Sequence, residues 1–211
     1  MVRIKFCGFT NTEDALAASR LGISAIGFVF AKTSPRYITP LKAAEIISHL
    51  APFVLRVGVF LNSDIPEIEE IASVCKLDVI QLHGDEPPEF CRKVQGRYRC
   101  IKALRVKGEE LLDIISEYNF LDAILLDSYK KNVAGGTGEI FDWDIARRAR
   151  KFEIPIILSG GLNPDNIKKA IEEVNPYAVD ISSGIESSPG IKDHELMAKF
   201  VASIWEEEWG L

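Results

Sequence analysis

Short runs that are apolar, or that alternate apolar with polar residues, recur along this chain between stretches whose apolar residues return every three or four positions. The short runs read "RIKFC", "AIGFVF", "VLRVGVF", "DVIQLH", "CIKALRV", "AILLDS", "PIILSG" and "YAVDISS". The stretches between them include "TEDALAASRL", "PLKAAEIISHL", "IPEIEEIASVC", "GEELLDIISEY", "FDWDIARRARKF" and "NPDNIKKAIEEV". A period of two suits a strand, and a period near 3.6 suits a helix with one buried face. The pattern predicts strand then helix, repeated.

Several helix starts carry their own chemistry. Thr10 with Glu13 spells a capping box, while Thr39 before Pro40 and Asn163 before Pro164 pair a cap with proline in the first turn. Pro87 and Pro88 allow only a short helix after them. No linker or low-complexity segment divides the chain, so residues 1–211 are expected to form one domain. Eight βα units in 211 residues fit the lower end of the range for a single-domain α/β fold, the (β/α)8 or TIM barrel. The competitor, an open doubly wound sheet, should carry a glycine fingerprint after its first strand, and none is present.

Charge narrows the partners. A formal net charge of -6 argues against nucleic acid and anionic membranes, both of which need a basic surface field. Any anionic ligand must be held by local groups. The N-terminus enters a strand pattern directly and no apolar run is long enough to span a bilayer, which points to a cytoplasmic protein. Cys7, Cys75, Cys91 and Cys100 are irregularly spaced with no CxxC pair, so neither a disulfide framework nor a metal site is signalled.

In a barrel the active site lies at the C-terminal ends of the strands. The polar residues expected there are Cys7, His83, Asp127, the "SGG" that includes Gly160 and Gly161, and the "DISSG" that includes Asp180, Ser182, Ser183 and Gly184. A thiol and a carboxylate on separate strand ends suit paired acid and base catalysis across a bound substrate. Lys5, two residues before Cys7, should share its face, where a cation favours the thiolate. Each residue also has a plainer reading: Cys7 as core filler, Lys5 paired with Asp180, Asp127 as a loop cap. The loops after strands seven and eight allow backbone N–H groups to converge on a phosphate, although the same residues also make ordinary tight turns. Arg36, after Pro35, could grip a carboxylate or simply be solvated. The glycine-rich "NVAGGTGEIFDW" could cover a ligand.

Taken in order, "KFCGFT", "SPR", "GVFLN", "QLHG", "LLDS", "GGTG", "FDW", "LSGGLNP" and "VDISSGIESSPGIKD" closely resemble the motifs of the phosphoribosylanthranilate isomerases, over nearly the whole chain. That family performs an Amadori rearrangement in tryptophan biosynthesis. The resemblance implies that Cys7 is the general base, Asp127 the general acid, Arg36 the holder of the anthranilate carboxylate, and the last two loops the holders of the phosphate. It also implies a reaction that needs neither metal nor organic cofactor, and sugar contacts from His83 and Asp180. Two other readings stand beside it. One is a Schiff-base aldolase acting on a phosphorylated sugar through Lys5 or Lys102, and the other is a catalytically silent phosphate-binding barrel. Monomer and homodimer both remain open, with Phe53, Phe60, Phe141 and Trp143 as core or interface.

Overall fold

The computed structural model describes residues 2–106, 108–128 and 143–205. Eight parallel strands close into a barrel in chain order, β1 (Arg3–Cys7), β2 (Ala25–Val29), β3 (Leu55–Phe60), β4 (Val79–Leu82), β5 (Arg99–Val106), β6 (Ala123–Ser128), β7 (Ile156–Ser159) and β8 (Ala178–Ile181). Closure comes from β1 pairing with β8 on one side and β2 on the other, with Lys5 opposite Asp180 and Cys7 opposite Gly27. Each strand is followed by a helix: α1 (Thr12–Arg20), α2 (Pro40–Ile47), α3 (Ile65–Cys75), α4 (Pro88–Gln95), α5 (Glu110–Glu117), α6 (Trp143–Ala149), α7 (Ile167–Val174) and α8 (His194–Trp205). Among the described residues no helix is long and apolar enough to cross a membrane.

The strand alternation sorts residues between two apolar layers. Ile4, Phe6, Ile26, Phe28, Ile80 and Leu82 belong to the large core between the barrel and its helices. Ala25, Val57, Val79, Ile101, Leu125 and Ile157 form a smaller cluster inside the barrel. Bulk therefore sits outside the sheet, and smaller or polar side chains sit inside it, where facing strands converge. The charged and thiol face of "RIKFC" is the inner one, which is why Lys5 and Cys7 are buried.

Helix starts agree with the sequence where the cap reaches its own first turn. Thr39 accepts from the Lys42 N–H and Asp64 accepts from the Glu67 N–H. The expected capping box at Thr10 is displaced by one residue: Asn11 accepts from the Asp14 N–H at 2.8 Å and donates to the Asp14 carboxylate at 2.7 Å. Thr10 instead donates to the carbonyl of Gly190 at 2.6 Å, so a distant segment claims it. Asn163 closes a turn through the N–H groups of Asp165 and Asn166, and α7 begins one turn later. The short hairpin of β9 (Glu186–Ser188) and β10 (Ile191–Lys192) has no period long enough to show in sequence.

Lys102 points outward from β5, away from the cavity. Its ammonium donates to Glu86 at 2.7 Å and to the Gly84 carbonyl at 2.7 Å, and Glu86 also accepts from the N–H groups of Asn62 and Gly84. This buried knot ties down the loop that follows β4. It also removes Lys102 as a Schiff-base nucleophile, because the amine is on the wrong side of the sheet.

Candidate active site

A cavity of about 310 Å³ opens at the C-terminal ends of the strands, lined by Cys7, Arg36, His83, Asp127, Asp180 and the glycines and serines of the last two loops. All the residues expected at the strand ends are brought to it: Gly160, Gly161, Ser182, Ser183 and Gly184 line one side. Lys5 lies one layer deeper and donates to Asp180 at 2.9 Å. The expected glycine-rich cover, including Gly135, Gly136 and Gly138, lies outside the described residues.

Cys7 ends β1 at the cavity floor. Burial pushes its thiol above the ordinary range; Lys5 and Lys192 pull it down, and Asp180 pushes it further up. Lys5 is burdened by burial too, but Asp180 and Cys7 outweigh that and hold its ammonium above the usual lysine value. Lys5 does pull the thiol down, as its place two residues before Cys7 led one to expect, but burial outweighs it and the net direction is upward. Asp180, which holds the Lys5 ammonium at 2.9 Å, opposes part of that pull.

Across the cavity, Asp127 ends the inward face of β6 and meets the Nε2 of His83 at 3.4 Å. The amide nitrogen of Gln81 stands 3.0 Å from His83 Nδ1. As the amide donates to Nδ1, the imidazole carries its proton on Nε2, facing the carboxylate. Gln81 was not singled out from sequence, although a glutamine between Ile80 and Leu82 in a buried strand is itself a signal. Among the described residues its Oε1 is buried without a partner, as is the hydroxyl of Ser182, and both residues line the cavity.

The last two loops lie against each other at the cavity. Gly160 and Gly161 have φ of 87° and 69°, a region that admits glycine readily. Gly184 is needed for a different reason: a Cβ there would lie 2.1 Å from the Leu162 carbonyl oxygen. The two loop backbones touch at this point. Gly184→Ala is accordingly expected to cost about 1 to 3 kcal/mol of stability by overpacking and to raise KM for a phosphorylated substrate. At Gly161 the same substitution meets open space and only backbone strain, so it should perturb KM less; equal effects would place the cradle elsewhere.

Arg36 reaches the cavity from the loop after β2, but its guanidinium already holds an acid. Nε donates to Glu186 Oε1 at 2.8 Å and Nη2 donates to Oε2 at 2.6 Å. That contact lifts the arginine above its ordinary value, chiefly through the hydrogen bond. Among the described residues no cluster of three or more His, Cys, Asp or Glu side chains could hold a metal ion.

With this geometry in place, comparison with known proteins is informative. The family model for N-(5'-phosphoribosyl)anthranilate (PRA) isomerase matches residues 4–203. The N-(5'-phosphoribosyl)anthranilate isomerases of Geobacter metallireducens and Geobacter sulfurreducens are 52% and 51% identical over 201 residues, covering 95% of this chain and 98% and 97% of theirs. The crystal structure of phosphoribosyl anthranilate isomerase from Thermotoga maritima superposes with a TM-score of 0.90 at 46% identity, covering 96% of this chain and 98% of that one. A structure of such an enzyme in complex with reduced 1-(o-carboxyphenylamino)-1-deoxyribulose 5-phosphate gives 0.88 at 44% identity, with the same coverage. Matched from its first strand to its last helix, and half identical to curated relatives throughout, the chain belongs to the N-(5'-phosphoribosyl)anthranilate isomerase family.

Proposed function

We propose that the isomerase activity of this family, conversion of N-(5'-phosphoribosyl)anthranilate to 1-(2-carboxyphenylamino)-1-deoxyribulose 5-phosphate in tryptophan biosynthesis, is carried out here by Cys7 as base and Asp127 as acid. The observation that carries the assignment is that one thiol and one carboxylate, at the ends of β1 and β6, line the same cavity. Asp127 protonates the ribose ring oxygen, the C1′–O bond breaks, and the aniline nitrogen lone pair completes an iminium. Cys7 removes the proton from C2′, and the electron pair flows into the iminium to give an enolamine. Protonation at C1′ and loss of the enol proton complete the ketone. The substrate's own iminium is the electron sink, so the protein need supply only proton transfer and position.

The phosphate is held by the loops carrying Gly160, Gly161, Ser182, Ser183 and Gly184, and His83 and Asp180 serve the sugar hydroxyls. Arg36 takes the anthranilate carboxylate. Arg36→Met is expected to weaken binding of the anthranilate end by about 2 to 5 kcal/mol, as for other buried charge partners. A substrate analogue lacking the carboxylate should hardly notice the change, and equal losses for both would make Arg36 structural. Turnover of phosphoribosylanthranilate, read as loss of its anthranilate-type fluorescence, tests the activity itself. Borohydride trapping of substrate would instead reveal an aldolase working through Lys5, and absence of any turnover would leave a silent phosphate-binding barrel.

Residues 1–211 are read as one barrel domain in the cytoplasm, with its cysteines reduced. A homodimer fits better than a monomer. Phe53 is 94% exposed in the loop just before β3, and the Thermotoga maritima enzyme is described as dimeric. Sedimentation at the mass of a single chain across a concentration series would refute the dimer.

A further inference from the structure

The segment "IESSPGIKD" after β8 contains three charged residues that the acid, base and phosphate assignments leave without a role, and two of them, Glu186 and Lys192, have buried side chains. They are register partners in the β9–β10 hairpin, and their side chains are only 4% and 0% exposed. Lys192 Nζ donates to Glu186 Oε1 at 2.8 Å, to the carbonyl of Cys7 at 2.6 Å and to the carbonyl of Ser182 at 3.4 Å. All three ammonium donors are thereby used, on the strand that carries the thiol, the loop assigned to phosphate, and Glu186. Glu186 is in turn shared with Arg36, whose stem lies against Gly8: a Cβ on that glycine would be 2.5 Å from Arg36 Cδ.

The hydrogen bonds to Glu186 divide the guanidinium. Arg36 has five N–H donors, of which Glu186 engages Nε and one on Nη2. Among the described residues what remains is the end face, Nη1 with the second Nη2 hydrogen, a fork that fits one further carboxylate with two parallel bonds. Two cations against one anion leave a single positive charge, which matches one carboxylate. Buried ion pairs add little net stability compared with apolar residues of the same size, so three charges here are better explained by geometry than by stability. Glu186 stays ionised: burial opposes its charge, but the hydrogen bonds from Arg36 and Lys192 outweigh it.

We propose that Glu186, braced by Lys192, is a positioning residue that confers preference for a ring carboxylate, because it turns the free end face of Arg36 into the cavity. This rests on the reading that Arg36 binds the anthranilate carboxylate. Lys192 then links that specificity to the Cys7 strand and the phosphate loop, holding the three parts of the site in one register.

The test is selectivity between two ligands, the reduced product analogue 1-(o-carboxyphenylamino)-1-deoxyribulose 5-phosphate and the same compound without the ring carboxylate. In Glu186→Gln, the dissociation constant of the first should rise roughly ten- to a hundredfold, the scale of a misplaced contact, and that of the second should stay unchanged. If the Gln variant does not fold, Glu186→Asp keeps a charge for Lys192 while drawing it back by one methylene, and the same selective loss is expected. Equal loss for both ligands, or loss for neither, overturns the proposal. Arg36→Met is measured alongside. If it discriminates the two ligands and the Glu186 variants do not, only the positioning role falls. If it fails to discriminate, the carboxylate reading of Arg36 falls and takes this inference with it.

Discussion

An alanine at position 7 is expected to lower kcat by at least ~10² and up to ~10⁴, the range for loss of a general base, while the product analogue still binds. The thiol ends β1 at the floor of the cavity, so its removal takes the proposed proton acceptor and leaves the anion-holding groups in place. The pH profile supplies the sign. The base acts when deprotonated, so kcat/KM should rise with pH through the Cys7 ionisation of the free enzyme. Because burial, reinforced by Asp180, outweighs Lys5 and Lys192, this limb should lie above the ordinary thiol value of about 8.5. In the complex the iminium intermediate adds a cation beside the sulfur, so the corresponding limb of kcat should lie at lower pH. Cys7→Asp should move both limbs toward acid, since a carboxylate ionises earlier than a thiol. Full activity in Cys7→Ala with an unaltered profile would take the thiol out of the mechanism.

Asp127→Asn should be as damaging, a fall in kcat of ~10² to 10⁴, for a reason at the other end of the reaction. Asparagine keeps the shape and the contact with His83 Nε2 but has no proton to deliver to the ring oxygen, so the aminal should not open. The two variants are separable. A pre-opened substrate, the Schiff base formed from anthranilate and an acyclic aldose phosphate, bypasses ring opening; it should restore turnover to Asp127→Asn and not to Cys7→Ala. Rescue of both, or of neither, would mean that the acid and base roles are not divided between these two side chains.

The eight strands and the order of strand and helix were legible in the chain because each follows from a local period. "RIKFC", "AILLDS" and the intervening amphipathic stretches bury one face whatever lies beyond them. The rim residues were legible too, since a strand that ends in Cys7 or Asp127 must place it at the mouth once the barrel closes. Caps were less secure. Thr39 caps its own helix by accepting from the Lys42 N–H, whereas Thr10 is drawn to the carbonyl of Gly190, 180 positions away.

What the sequence by itself determined about this protein is therefore the set of elements, the barrel they imply and the residues that stand at the strand ends, all encoded over a few positions. Only the tertiary structure decided which charges meet. It set Lys102 outside the sheet against Glu86, let burial prevail over Lys5 at the Cys7 thiol, turned Gln81 toward His83, and gave the side face of Arg36 to Glu186. The reason is physical: periodicity reports which face of an element is buried, whereas pairing and desolvation depend on which other element arrives there. Arg36 and Glu186 are 150 residues apart, and no local pattern carries that distance.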